Sequence, residues 1–223
     1  MRYQHQYLDG STFAHAPGKV VCVGRNYAEH ARELNNPVPS EPLLFIKPAT
    51  SVVALADGIN LPRGRGAVHN ETEIALLIGA PLSGVVSVEE ARKAIAGVGL
   101  ALDLTLRELQ DQLKSKGHPW ERAKAFDGAC PLSPFAPVEQ APALTDLPLQ
   151  LHINGALRQD GNSSDMITPI IALLQHIAGV FTLLPGDVVI TGTPAGVGVL
   201  QAGDQLQLSI PGLMQHSTHI AED

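Results

Sequence analysis

Residues 68–79 read VHNETEIALLIG, and this stretch shapes the interpretation of the whole chain. The apolar run at 74–78 predicts a strand that enters the core. Because alternate side chains of a strand share a face, we expect His69, Glu71 and Glu73 to project to one side. Carboxylates beside a buried run are unfavourable unless a positive charge lies between them. A hard divalent cation meets that need, and the alternative is a solvated strand end with exposed Glu side chains.

A third carboxylate strengthens the case for a metal. Asp103 ends the apolar run VGLALD at 98–103, just before a predicted helix. An acid at such a position often caps the helix, and that alternative stays open. With Glu71 and Glu73, Asp103 would supply three oxygen ligands and leave positions open for substrate or water. That arrangement is typical of a catalytic metal site.

A histidine and a glutamate share one face of a predicted helix at 26–34. His30 and Glu33 are three residues apart, within reach of each other. A carboxylate can orient an imidazole and raise its basicity, as a general base for water requires. The competing interpretation is an ordinary ion pair on a polar helix surface.

Two lysines and a glycine-rich turn are further candidates for binding an anion. Lys47 ends the run LLFIK, and Lys124 lies in WERAKAFD. Each either binds a substrate carboxylate or oxyanion, or extends its ammonium from an apolar surface into water. The turn TGTPAGVG at 191–198 has small residues whose N–H groups can approach a carboxylate, although such turns are common.

The remaining patterns predict an α+β fold, because strands outnumber helices and follow one another directly near the C-terminus. Proline-rich residues 131–148 are expected to form a surface loop. No dinucleotide-binding or phosphate-binding glycine motif occurs. The predicted strands are 19–24, 147–153, 187–191 and 205–210, with an Asn154-Gly155 hairpin turn, and the predicted helices are 26–34, 105–116 ended by Gly117, and 164–181 capped by Ser164.

Composition excludes several classes of protein. The 223 residues include 15 Lys and Arg against 22 Asp and Glu, a net charge of −7, so no basic block is available for nucleic acid. Apolar stretches are too short to cross a membrane, and the N-terminus lacks the apolar region of a signal peptide. We therefore expect a cytoplasmic protein with no nucleic-acid or membrane partner. Cys22 and Cys130 are expected to be packing residues.

Taken together, these segments resemble the fumarylacetoacetate hydrolase family, in its short single-domain acylpyruvase-like branch. The resemblance implies a mixed β-sheet roll with short helices, usually a homodimer. It places a short N-terminal extension at 1–18 and one catalytic domain at 19–223. The segments that carry it are VVCVGRNYAEH (20–30), FIKP (45–48), GAVHNETEIALLIG (66–79), ALDLTLRELQ (101–110), PWERAKAFDGACPLSP (119–134), DMI (165–167) and GDVVITGTPAGVG (186–198).

The resemblance also implies roles for individual residues. Mg²⁺ or Mn²⁺ would bind the acids at the family's E-x-E and D positions. The family's catalytic dyad, its lysines, an oxyanion-binding glutamine and a substrate-contacting threonine each have a counterpart, and a nearby arginine is suited to a substrate carboxylate. These residues are Glu71, Glu73 and Asp103 for the metal, His30, Glu33, Lys124 and Gln110 for catalysis, and Arg25, Lys47 and Thr193 for substrate.

The expected substrate is a small 2-oxo acid with a second carbonyl at the β position. The His30–Glu33 pair favours hydrolysis, since an activated water would cleave a C–C bond of an acylpyruvate to give pyruvate and a carboxylate. The alternative is oxaloacetate decarboxylation or tautomerisation, or isomerisation of a 2-hydroxyhepta-2,4-diene-1,7-dioate type, on the same metal site. A non-enzymatic module with a structural Ca²⁺ is a third possibility, although Ca²⁺ usually takes more oxygen ligands.

Overall fold

A computed structural model describes residues 3–222 of the chain. Strands dominate it, as the sequence predicts. The helices are α1 (Ala28–Glu33), α2 (Val88–Lys93), α3 (Arg107–Ser115), α4 (Glu121–Lys124) and α5 (Ile170–Val180). The strands are β1 (Val20–Gly24), β2 (Leu43–Lys47), β3 (Val52–Ala54), β4 (Val68–Asn70), β5 (Thr72–Ile78), β6 (Ile95–Leu102), β7 (Thr105–Leu106), β8 (Cys130–Leu132), β9 (Ala136–Pro137), β10 (Pro148–Ile153), β11 (Ala156–Asn162), β12 (Val188–Ile190), β13 (Gly198–Val199), β14 (Gln205–Ile210) and β15 (Met214–His219).

The strands of residues 3–222 form three sheets. The largest has the order β2-β1-β12-β5-β6-β8-β3, with β9 paired to β6, and the second has the order β11-β10-β14-β15. A small third sheet, β13-β4-β7, lies beside the candidate site. Pairs β1–β12 and β3–β8 are parallel, and the other pairs are antiparallel. This mixed architecture with short helices confirms the predicted α+β fold.

Strand β5 is buried on both faces, which explains its uninterrupted apolar run. Ile74 and Leu76 point into a core shared with Leu151 and Leu208 of the second sheet. Leu77 points into a smaller core on the opposite face. The N-terminal segment covers that smaller core through Tyr3, Tyr7 and Phe13, so the predicted extension packs on the large sheet from residue 3 onward.

Two local predictions are confirmed by backbone geometry. Asn154 and Gly155 both have positive φ, 53° and 78°, and join β10 to β11 as the predicted hairpin turn. Gly117, with a φ of 65°, follows the end of α3 as the predicted stop.

Three local predictions are wrong. The strand expected to run through His69, Glu71 and Glu73 divides at Glu71, because β4 pairs with β7 and β13 whereas β5 pairs with β6 and β12. The last helix begins at Ile170 after Pro169 and not at Ser164, because Asn26 takes the N–H groups of residues 167 and 168. The proline-rich segment is no surface loop, since it contributes β8 and β9 and the fully buried Phe135.

Candidate metal and proton-transfer site

Three buried carboxylates meet at the broken strand. Glu71 lies between β4 and β5, Glu73 lies in β5, and Asp103 follows β6, which pairs with β5. One oxygen from each lies within 4.8 Å of the others. All three residues are at most 5% exposed, so the solvated-strand interpretation is wrong. The helix-cap interpretation of Asp103 is wrong too, because Leu106 precedes α3.

His69 does not join the three acids, although it shares their alternation in the sequence. It lies in β4, opposite Thr105 and Val199 of the small sheet, and is half-buried. The break at Glu71 separates its strand from β5. The candidate metal ligands are therefore the three carboxylates.

Two cations neutralise Glu71. Lys124 Nζ lies 2.7 Å from Glu71 Oε2 and 2.7 Å from Asp103 Oδ2, and Arg107 pairs with Glu71 Oε1. Burial alone would raise the pKa of Glu71, but the nearby Lys124 and Arg107 charges outweigh it and hold that pKa below its usual range. Burial likewise opposes the charge on Lys124, yet Asp103 and Glu71 raise its pKa. Lys124 is 3% exposed and therefore does not reach bulk water.

Glu73 is the acid that lacks a cation. Among the described residues no salt bridge reaches it, and its recorded side-chain hydrogen bond comes from the Gly192 N–H at 2.6 Å. Burial, followed by the charges of Asp103 and Glu71, raises its pKa well above the ordinary value. Asp103 Oδ1 lies 2.8 Å from the Lys47 ammonium. Three clustered carboxylates, one of them without an ion-pair partner among the described residues, fit a hard divalent cation such as Mg²⁺ or Mn²⁺.

The predicted dyad forms on α1. His30 Nδ1 lies 3.4 Å from Glu33 Oε2, and Glu33 also accepts the Gly196 N–H at 3.1 Å. His30 is 4% exposed, which rules out an ordinary surface pair. Burial lowers the pKa of His30, although Glu71 and Glu33 oppose that effect. The imidazole is therefore neutral near pH 7 and able to accept a proton.

The glycine-rich turn binds carboxylates of this chain. Its Gly192 N–H donates to Glu73 and its Gly196 N–H donates to Glu33. Both glycines have positive φ, which suits residues without a Cβ. The turn thus links Glu73, a candidate metal ligand, to Glu33 of the predicted dyad. Those two N–H groups are engaged with the protein and not with a substrate, contrary to the expectation from sequence.

A partly enclosed pocket opens over these groups. Arg25 lines it with a φ of 59°, an uncommon conformation for a side chain other than glycine, and within residues 3–222 it forms no ion pair. Lys47 does not line the pocket and lies behind Asp103. The lining residues that the sequence predicts are Arg25, His30, Glu71, Glu73, Asp103, Gln110, Lys124 and Thr193.

Comparison with known proteins agrees with this geometry. A family description of the fumarylacetoacetate (FAA) hydrolase C-terminal domain matches residues 19–221. The chain belongs to the fumarylacetoacetate hydrolase family. It is 48% identical to an oxaloacetate tautomerase of Escherichia coli over 94% of this chain and 96% of that protein.

Solved structures of the family share the fold closely. A crystal structure of a family protein from Yersinia pestis is 49% identical, with a TM-score of 0.95, covering 98% of this chain and all of that one. A fumarylpyruvate hydrolase from Pseudomonas aeruginosa, crystallised with Mn²⁺ and pyruvate, is 32% identical, with a TM-score of 0.92, covering 100% and 97%. The tautomerase is thus nearer in sequence than this hydrolase. The relatives favour the tautomerase alternative over the acylpyruvate hydrolase that the dyad suggests.

Sequence reasoning overlooked one residue of the pocket. Arg107 lines the pocket, pairs with Glu71 and donates to Gln110 Oε1 at 2.8 Å. The sequence pattern that could have indicated it is the spacing of three residues between Arg107 and Gln110, which places both side chains on one face of α3. Its partner Glu71 lies 36 residues away in sequence, so the pairing itself has no local signature.

Cys22 and Cys130 are packing residues, as predicted. Both are fully buried free thiols in the smaller core. Burial raises the pKa of Cys130 to about 12, and it also raises that of Cys22. Neither thiol is a nucleophile near neutral pH. Among residues 3–222, no helix has both the length and the apolar character that crossing a membrane requires.

Proposed function

We propose that this chain is a divalent-metal-dependent enzyme that interconverts the keto and enol forms of a small 2-oxo dicarboxylic acid, with oxaloacetate as the substrate. The observation that carries the proposal is the buried imidazole of His30, which lines the same pocket as the three acids. Tautomerisation requires an acidified C–H and one group that accepts and returns a proton. The 48% identical tautomerase of Escherichia coli supports the choice of reaction.

The acids hold the metal in this proposal. Glu71, Glu73 and Asp103 would bind Mg²⁺ or Mn²⁺, the metal present in the Pseudomonas aeruginosa hydrolase being Mn²⁺. When bound, the cation would supply Lewis acidity to the 2-oxo group of the substrate and so acidify its C3–H bond.

His30 moves the proton. Its Nδ1 faces Glu33, which leaves Nε2 as the nitrogen with a free lone pair in the neutral ring. Nε2 takes a proton from C3 of the keto form, the C–H electron pair forms the C2–C3 double bond, and the π pair of the 2-oxo group moves to its oxygen. That oxygen then receives the proton. The reverse transfer converts enol to keto, so atoms and charges balance in both directions.

Arg25 binds the far end of the substrate. Arg107 and Lys124 are committed to Glu71, whereas Arg25 has no acidic partner among the described residues. An unpaired guanidinium at a pocket wall is suited to a second carboxylate, which oxaloacetate carries. This arrangement favours a dicarboxylate over an acylpyruvate with an apolar end.

Hydrolytic C–C cleavage of an acylpyruvate is the second candidate. The observation in its favour is Gln110, which lines the pocket beside the acids; its Oε1 accepts from Arg107, so its amide N–H groups are donors for a developing oxyanion. The His30–Glu33 pair is also suited to activating water. The identity to a fumarylpyruvate hydrolase is consistent with this activity.

The test compares the reactions in one preparation. The purified protein is stripped of metal with EDTA, supplied with Mn²⁺, and given enol-oxaloacetate, whose ultraviolet absorbance decays as the keto form appears. Pyruvate release from oxaloacetate and from acetylpyruvate is measured in parallel. We expect Mn²⁺ to accelerate enol decay in the wild-type protein and to have no such effect in Glu71→Gln. The exposed control Glu139→Gln should respond to Mn²⁺ as the wild type does. A higher kcat/KM for acetylpyruvate cleavage than for tautomerisation would make hydrolysis the function.

The homodimer implied by the family resemblance stays a prediction. Light scattering coupled to size-exclusion chromatography measures the molar mass directly. We expect twice the 23.6 kDa mass of one chain, and a monomer mass would contradict the prediction.

A further inference from the structure

A glutamine outside the pocket connects the second sheet to the metal-ligand strand. Gln159 lies in β11, is fully buried, and does not line the pocket. Its neighbours Arg158 and Asp160 are exposed, as expected on an outer strand of the second sheet. A buried glutamine needs partners for both ends of its amide.

A β-bulge turns Gln159 inward. In the β10–β11 pair, His152 is opposite Leu157, but the next residue of β10, Leu151, is opposite Gln159. Arg158 is therefore the extra residue. The bulge places Gln159 on the inward face with the buried Leu151, a face that Arg158 would otherwise occupy.

The Gln159 amide makes four hydrogen bonds, which satisfies both of its ends. Oε1 accepts from Asn70 Nδ2 at 2.9 Å and from the Thr72 N–H at 3.0 Å. Nε2 donates to Thr193 Oγ1 at 2.8 Å and to the Pro194 carbonyl at 2.9 Å. The first pair of partners flanks the metal-ligand candidate Glu71. The second pair lies just after Gly192 in the glycine-rich turn.

From this network we infer that Gln159 is a positioning residue for the metal centre. Its amide holds the side chain of Asn70 and the backbone N–H of Thr72, the residues on either side of Glu71, where β4 ends and β5 begins. It also holds the turn whose Gly192 N–H binds Glu73. One side chain thus sets the relative position of two of the three acids, and the inference rests on the proposed metal-dependent function.

The same network fixes the role of the Thr193 hydroxyl. Thr193 Oγ1 donates its hydrogen to the Thr72 carbonyl at 2.8 Å and accepts from Gln159. A hydroxyl has one hydrogen, so its remaining capacity is as an acceptor. Thr193 can therefore accept a hydrogen bond from a ligand hydroxyl, such as that of an enol, but cannot donate one to a carboxylate.

The test is Mn²⁺ affinity in the metal-free protein, measured by calorimetric titration and by the line shape of the Mn²⁺ paramagnetic resonance spectrum. Gln159→Met keeps the length of the side chain and removes all four bonds. Gln150→Met is the matched control, because Gln150 lies on the paired strand β10 and bonds only the surface residue Asp160 in this structure. We expect Gln159→Met to raise the Kd about 10-fold or more and to alter the line shape, with no change in Gln150→Met.

The outcomes separate the two proposals. Wild-type protein that binds no Mn²⁺ would overturn both the metal-dependent function and this inference. Wild-type binding together with an unchanged Kd in folded Gln159→Met would overturn the inference alone. If circular dichroism shows that Gln159→Met is unfolded, Asn70→Ala removes one of the four bonds, and an unchanged Kd in that variant would overturn the inference.

Discussion

The ammonium of Lys47 lies 2.8 Å from Oδ1 of Asp103, and neither side chain is more than 2% exposed. Lys47 also donates hydrogen bonds to the carbonyls of Lys124 and Ala129, and its positive charge balances that of Asp103. The resemblance implied that Lys47 contacts substrate. Its place behind Asp103 instead gives it a structural and electrostatic role.

Lys47→Met should be strongly destabilising. The substitution removes one partner of a buried pair and leaves Asp103 with less positive charge around it. Removing one partner of such a pair typically lowers the free energy of unfolding by about 3 to 5 kcal/mol. Urea denaturation of the metal-free protein measures the change. Lys93→Met is the control, because the pair of Lys93 with Glu89 is exposed on α2 and its loss should change stability little. A similarly small loss of unfolding free energy in both variants would contradict the prediction.

Glu73→Gln should stabilise the metal-free protein and abolish its response to metal. The folded pKa of Glu73 is raised, so its ionised form is unfavourable, and its contribution to stability falls as pH rises above the ordinary value of 4.5. An uncharged amide avoids that cost near pH 7. In EDTA, the melting temperature of Glu73→Gln should be higher than that of the wild type. Adding Mn²⁺ should not raise the melting temperature of the variant. A Mn²⁺-dependent rise equal to that of wild type would remove Glu73 from the ligand set.

His30 should set the acidic limb of the pH–rate profile. Burial lowers its pKa, so the neutral form persists below the ordinary value of 6.5 and is lost only as pH falls through the lowered pKa. The value of kcat/KM for tautomerisation should therefore fall as the pH is lowered, with an inflection below pH 6.5. His30→Gln should reduce the rate by about 10²-fold or more and remove the inflection. An unchanged profile in that variant would exclude His30 as the base.

Arg25→Met should discriminate between substrates by their far end. Loss of the unpaired guanidinium should raise KM for oxaloacetate about 10-fold, as expected for removing a charge-assisted contact. Acetylpyruvate, which lacks the second carboxylate, should show little change in KM. Steady-state kinetics gives KM for both compounds in the variant and in the wild type. An equal rise in KM for the two compounds would show that Arg25 does not bind the distal carboxylate.

Gly196→Ala should impair the dyad. A Cβ there would lie 1.8 Å from the Arg158 carbonyl, and the residue has a φ of 99°. The turn must shift, which displaces the N–H that binds Glu33. We expect a loss of about 10²-fold in kcat, typical of a misplaced catalytic group. Gly198→Ala is the control, since its Cβ would come no closer than 3.7 Å to Asn70 and should leave kcat unchanged.

The sequence by itself determined the fold class, the hairpin at Asn154-Gly155 and the acids of the site. Those features follow from local patterns: apolar periodicity, turn residues and alternating carboxylates. Only the tertiary structure showed that Arg107 and Lys124 pair with Glu71, that Glu73 has no ion-pair partner within residues 3–222, and that the Gln159 amide bonds the residues on either side of Glu71. These pairings join residues far apart in the chain, and they depend on where strands break, bulge and meet. Burial then turns those contacts into shifted pKa values, which no local pattern encodes.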